Sequence, residues 1–62
     1  MADQFEYRVV TYDTVNHPVN ETVAQGVSNL LNANGSEGWE LMYYEDDVNF
    51  MRYFWMKRRT SN

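Results

Sequence analysis

Residues 30–41 read Leu-Leu-Asn-Ala-Asn-Gly-Ser-Glu-Gly-Trp-Glu-Leu, a run that stops a helix and starts a strand within a few positions. Its two glycines bracket Ser36-Glu37. The backbone can therefore take a positive φ at Gly35, where many helices end, and turn again at Gly38 without a Cβ penalty. Trp39 and Leu41 then alternate with Glu40, the period of two expected of a strand with one buried face. A chain punctuated in this way is committed to a mixed α and β fold.

Patterning on either side completes the outline. Residues 5–14 alternate, with Phe5, Tyr7 and Val9 on one side and Glu6, Arg8, Val10 and Tyr12 on the other, which predicts a first strand. Residues 13–20 have the Asp, Thr, Asn, His and Pro content of a loop. Asn20 is expected to cap the following helix, with Glu21 at the positive end of its dipole. The helix is expected to run to about residue 34, because Val23, Val27, Leu30 and Leu31 form one apolar stripe. Gly26 inside it costs about 1 kcal/mol relative to alanine, which points to close approach to the sheet or to plain tolerance. Residues 39–44 and 50–57 read as two further strands joined by a polar turn at 45–49, an antiparallel hairpin. Residues 60–62 are expected to fray.

The expected fold is thus α+β: one small β-α-β-β domain over residues 1–62, with a three-stranded sheet carrying one helix on one face. Tyr7, Val9, Trp39, Leu41, Phe54 and Met56 are expected to point toward that helix. Arg8, Val10, Tyr12, Met42, Tyr44, Met51, Tyr53, Trp55 and Lys57 are then left on the other face. So large an apolar surface implies burial by oligomerisation, as a dimer or tetramer. Size argues the same way: at 62 residues with no cysteine and a single histidine, neither disulfides nor an ordinary zinc site can reinforce a small core.

Charge narrows the function classes. A formal net charge of -4 disfavours general binding of duplex DNA by phosphate neutralisation. Four of the five basic residues nevertheless cluster as Arg52, Lys57, Arg58 and Arg59. The absence of a long apolar run and of a signal-peptide pattern implies a cytoplasmic protein with no membrane partner. Catalysis is not expected. His17 lies in a polar loop before Pro18, Ser28 and Ser36 have no nucleophile motif, and residues 45–47 lack calcium-loop spacing. Gly35-Ser36-Glu37-Gly38 follows a helix rather than opening one, so it is no phosphate loop. Glu37 and Glu40 fit as acceptors for turn amides. Neither a cofactor nor a metal is implied.

The segments Tyr7-Arg8-Val9-Val10, Leu30-Leu31-Asn32 and Gly35-Ser36-Glu37-Gly38-Trp39-Glu40-Leu41, with the aromatic strand closing in Lys57-Arg58, carry a resemblance over nearly the whole chain. It resembles the small bacterial and phage family known as domain of unknown function 4177, which implies the same strand, helix and hairpin order and no recorded activity. In size and build it is also similar to the phage sponge proteins that sequester cyclic dinucleotide signals of the CBASS anti-phage system. That likeness implies a non-enzymatic oligomer binding an anionic small molecule, a cyclic dinucleotide, in the cytoplasm of a bacterial host. Rings that stack on bases and cations that fork onto phosphates make Arg8, Tyr12, Arg52, Tyr53, Trp55, Lys57 and Arg58 the candidate ligand-binding residues, with Tyr44 a further stacking candidate. The alternative is an inhibitor or scaffold that binds a host protein through its acidic surface; a purely structural accessory domain is the third possibility.

Overall fold

The computed structural model describes residues 4–47 and 49–60. Val48 of the expected turn and the terminal residues 1–3 and 61–62 lie outside the described part. Four elements follow one another: β1 (Phe5–Asp13), α1 (Val23–Gly35), β2 (Glu40–Asp46) and β3 (Met51–Arg59). The sheet order is β1-β3-β2, and β3 is antiparallel to both neighbours. The last strand therefore occupies the centre, and β1 and β2 are the two edges, joined through α1. The α+β class and the β-α-β-β order expected from the sequence are both present.

The helix begins at a different cap from the one expected. Thr22, not Asn20, is the N-cap: its hydroxyl accepts from the Gln25 amide at 3.1 Å, and the Gln25 side chain accepts from the Thr22 amide at 2.8 Å. This reciprocal capping box satisfies two amides where Asn20 would have satisfied one. The helix end also shifts. Gly35 is the last helical residue, and the left-handed position is Gly38, at φ 92°. The Trp39 amide reaches the Asn34 carbonyl at 3.1 Å and the Gly38 amide reaches Gly35 at 2.9 Å, the paired bonds of a Schellman motif. Any Cβ at Gly38 would also meet the Arg58 Cδ at 3.3 Å.

Residues paired directly across antiparallel strands project from the same face. Val10 opposes Phe54 and Arg8 opposes Met56, and the buried apolar side chains among the described residues are Trp39, Phe54 and Met56, with Val10, Tyr12, Val27, Leu30 and Leu31 packed around them. Arg8, Val10 and Tyr12 therefore face the helix while Phe5, Tyr7 and Val9 face away, the reverse of the expected facing of β1. Both parities of β1 carry apolar side chains, so alternation alone does not choose between them. The helix decides: Gly26 leaves the space that the tip of the Tyr12 ring occupies, and the Tyr12 hydroxyl donates to Glu21 at 2.8 Å.

Strand β2 faces as expected only at its start. Leu41 opposes Met56 and Tyr43 opposes Trp55, which leaves Met42 as the extra residue of a β-bulge. A bulge inverts the parity of everything beyond it. Tyr44 therefore opposes Phe54 on the helix face, not the far face. The hairpin closes through Phe50, a non-glycine residue at φ 67°, whose carbonyl accepts from the amide and hydroxyl of Thr14. Thr60 is tied down as well, its amide bonding the Gln4 carbonyl at 2.9 Å.

Trp39→Ala should cost about 3–5 kcal/mol, comparable with the whole stability of a domain this small, and urea titration should show it largely unfolded. Gly26→Ala should destabilise the wild-type chain by displacing Tyr12. In a Tyr12→Ala background the same change should instead stabilise by about 1 kcal/mol through helix propensity. A double-mutant cycle by chemical denaturation reads that reversal of sign.

Candidate functional site

The face of the sheet away from α1 has no covering element among the described residues. β1 contributes Tyr7 and Val9, 64% and 47% exposed, β2 contributes Met42 and Tyr43, 51% and 59% exposed, and β3 contributes Tyr53, Trp55 and Lys57. The centre of the face is one row, Val9–Trp55–Tyr43, in cross-strand register. Trp55 lies 5.5 Å from the Tyr43 ring and 6.1 Å from the Tyr53 ring, both tilted, within the range of favourable aromatic pairs. A shallow hollow of about 160 Å³ opens between Tyr7, Val9, Met42 and Trp55.

Charge is graded along this face. At one end lies the row Tyr7–Lys57–Glu40, beside the Phe5–Arg59 pair, with the Lys57 ammonium 4.9 Å from the centre of the Phe5 ring. At the other end Glu45 opposes Tyr53, and the Tyr53 hydroxyl donates to Asp47 at 2.8 Å. That bond to a carboxylate, with some burial, raises the Tyr53 phenol above its ordinary value. The aromatic middle thus runs from a cationic end to an anionic end.

The seven candidate ligand-binding residues do not share this face. Tyr53, Trp55 and Lys57 lie on it together. Arg8, Tyr12, Arg52 and Arg58 lie on the helix side, where each is engaged within the fold. Arg58 holds Glu6 through Nε at 2.8 Å and Nη2 at 2.5 Å, and donates to the Glu37 carbonyl at 3.1 Å. Arg8 bonds the Asn34 side chain and lies 3.8 Å from the Glu37 carboxylate. Arg52 pairs with Asp46 at 3.0 Å. Tyr12, bonded to Glu21, is a packing residue, and burial followed by the Glu21 carboxylate raises its phenol above the ordinary value. The cations expected to converge on the aromatic face are therefore divided between two sides of the sheet.

Trp39 is where two of them meet. The Arg8 and Arg58 guanidinium carbons stand 4.1 and 4.5 Å from the centre of its ring, both within cation–π range. The sequence gives no sign of this grouping, because it depends on β3 lying beside β1 and on the facing of β1. Tyr7 and Val9 were missed as members of the open face for the second of those reasons.

Chemically, the open face offers stacking surface and one cationic end. Among the described residues no cluster of three His, Cys, Asp or Glu side chains could hold a metal ion, and no helix is long and apolar enough to cross a membrane. No family model, curated protein or solved structure matches the chain.

A phenol whose folded value is raised contributes stability that is present below the ordinary value of 10.0 and lost as pH rises through the raised value. The melting temperature should therefore fall steeply above about pH 10. Tyr12→Phe and Tyr53→Phe should each flatten that alkaline fall while leaving the profile near neutrality unchanged in shape.

Proposed function

We propose that this chain is a non-enzymatic binding module that works as a self-associated dimer or tetramer and holds a small anionic ligand between the open sheet faces of its subunits. The observation that carries this reading is the uncovered face around the Val9–Trp55–Tyr43 row, with Lys57 toward one end of the strands and Glu45 toward the other. Two copies related by a two-fold axis and packed face to face, with strands antiparallel, would set the Lys57 end of one against the Glu45 end of the other. A patch both apolar and self-complementary in charge favours closed, symmetric association.

The ligand class follows from the same residues together with the resemblance in size and build to phage sponge proteins. Trp55 and Tyr53 offer flat rings to nucleobases, and Lys57 offers a cation to phosphate. A cyclic dinucleotide, sequestered without turnover, is the ligand we assign, in the role of a phage anti-defence sponge. The engaged positions of Arg8, Arg52, Arg58 and Tyr12 leave the first contacts to Tyr53, Trp55 and Lys57.

Calorimetry with a panel of cyclic dinucleotides, and absorbance at 260 relative to 280 nm on the purified protein, test the ligand. Trp55→Ala should cost about 1–3 kcal/mol of affinity for a stacked base, and Lys57→Ala should weaken binding and reduce its dependence on salt. Arg52→Ala, on the far side of the sheet, should leave affinity unchanged. No binding by any cyclic or linear nucleotide would overturn the ligand assignment and favour a host-protein inhibitor. Light scattering at micromolar concentration tests assembly separately, and a mass of 7.4 kDa, that of the monomer, would overturn it.

A further inference from the structure

Strand β2 is bonded on one side only. It is an edge of the sheet, and among the described residues its backbone groups bond to β3 and to nothing else. All seven of its residues are exposed, including the four consecutive apolar or aromatic side chains Leu41, Met42, Tyr43 and Tyr44. β1, the other edge, is half covered: its helix-side residues are screened alternately along the strand. Natural edges are normally blunted by charge, by bulges or by a covering element. The Met42 bulge blunts only the first turn of the pleat, and Tyr43–Asp46 continues in regular register beyond it.

Beside this edge the helix leaves a groove of about 310 Å³, walled by Val27 and Leu31 of α1, Leu41 and Tyr44 of β2, and Phe54 of β3, and closed at one end by the Asp46–Arg52 pair. A strand added to β2 would direct alternate side chains into the groove while its backbone completed the ladder, the two components of recognition by β-augmentation. Charge selects the occupant. Glu40 flanks the apolar quartet at one end and Glu45 at the other, while the neighbouring Asp46 is already paired with Arg52 at 3.0 Å. A second β2, paired by a two-fold axis between Met42 and Tyr43, would set Glu40 opposite Glu45, both on the open side of the bulged strand. Like charges directly opposed destabilise a sheet. A strand with basic ends meets opposite charge at both.

We infer that the outer edge of β2 is a strand-addition site for an extended peptide segment of a partner protein, with apolar residues at alternate positions and lysine or arginine at its ends. This edge adjoins the open face, whose ends Glu40 and Glu45 also flank, but the inference does not depend on the ligand assigned there. A fluorescently labelled synthetic peptide of alternating valine and threonine with lysines at both ends is the probe, read by anisotropy and by amide shift mapping.

Saturable binding is expected, with shifts on residues 40–46, Val27 and Leu31. Methylating the alternate peptide nitrogens that would bond β2 should weaken it at least about tenfold. Glu40→Lys with Glu45→Lys should weaken it similarly and should restore affinity for the same peptide ended in glutamates. Both sites are exposed, so an unchanged melting temperature is the check on folding. Tyr7→Ala, on the open face, should leave the affinity as it was. No saturable binding, full affinity of the methylated peptide, or shifts centred on Tyr7 and Trp55 would each overturn the inference. So would protection of the 40–46 amides that rises with protein concentration in the absence of peptide, which would assign the edge to a second copy.

Discussion

The contact of Arg8 and Arg58 with the Trp39 ring is the junction on which the rest of the molecule hangs. Trp39 follows the turn that ends α1 and precedes β2, Arg8 belongs to β1, and Arg58 belongs to β3. One indole thus joins all four elements. Burying such a ring removes more apolar area from water than any other residue of this small core can, and each cation held over it adds about 0.5–2 kcal/mol. The guanidiniums are held in turn by Glu6, Glu37 and Asn34. Asn34 is buried and spends its amide nitrogen on the Leu30 carbonyl, so the polar groups beneath the indole fix the helix end as well. The core is flanked by a half-exposed ionic layer, as suits a slab whose Cα atoms extend 47 × 24 × 12 Å, where few side chains can be wholly enclosed.

Much of this was legible in the sequence. The element order, the need for glycine at Gly38, the burial of Trp39, and the outward facing of Tyr53, Trp55 and Lys57 all follow from local patterning. These features depend on one turn or one strand at a time. The sequence also allowed that Gly26 marks a close approach, and the partner is the Tyr12 ring. What local patterning left open was decided by contacts between distant segments. The facing of β1 rests on Tyr12 meeting Gly26 and on Arg8 meeting Trp39, neither of which alternation reports. The facing of Tyr44 rests on a bulge with no glycine to announce it. Of the candidate site, Tyr53, Trp55 and Lys57 were placed correctly relative to the sheet. The arginines and Tyr12 were not, because a polar residue on a strand reads the same whether it meets solvent or an acid of the same fold.

The two surfaces that no described residue covers differ in kind. The open face is broad, aromatic and graded in charge, so it suits flat rings or a second copy of itself. The β2 edge is narrow and directional, and its information lies in backbone hydrogen bonds bounded by acids. They meet at Met42 and Tyr43, which belong to β2 and project from the open side. Occupation of one surface can therefore alter the other through the setting of these two side chains.

The central place of β3 bears on how the chain reaches its fold. The hairpin of β2 with β3 is local, but Phe5 must find Arg59 across most of the chain. During synthesis β1, α1 and β2 emerge with no strand to join, since the two edges never touch and their common neighbour comes last. Contacts of such long sequence separation form late, after a costly loop closure. Until then the aromatic side chains of β1 and β2 have no sheet to lie on, so the apolar surface of the nascent segment stays in water until the last strand arrives.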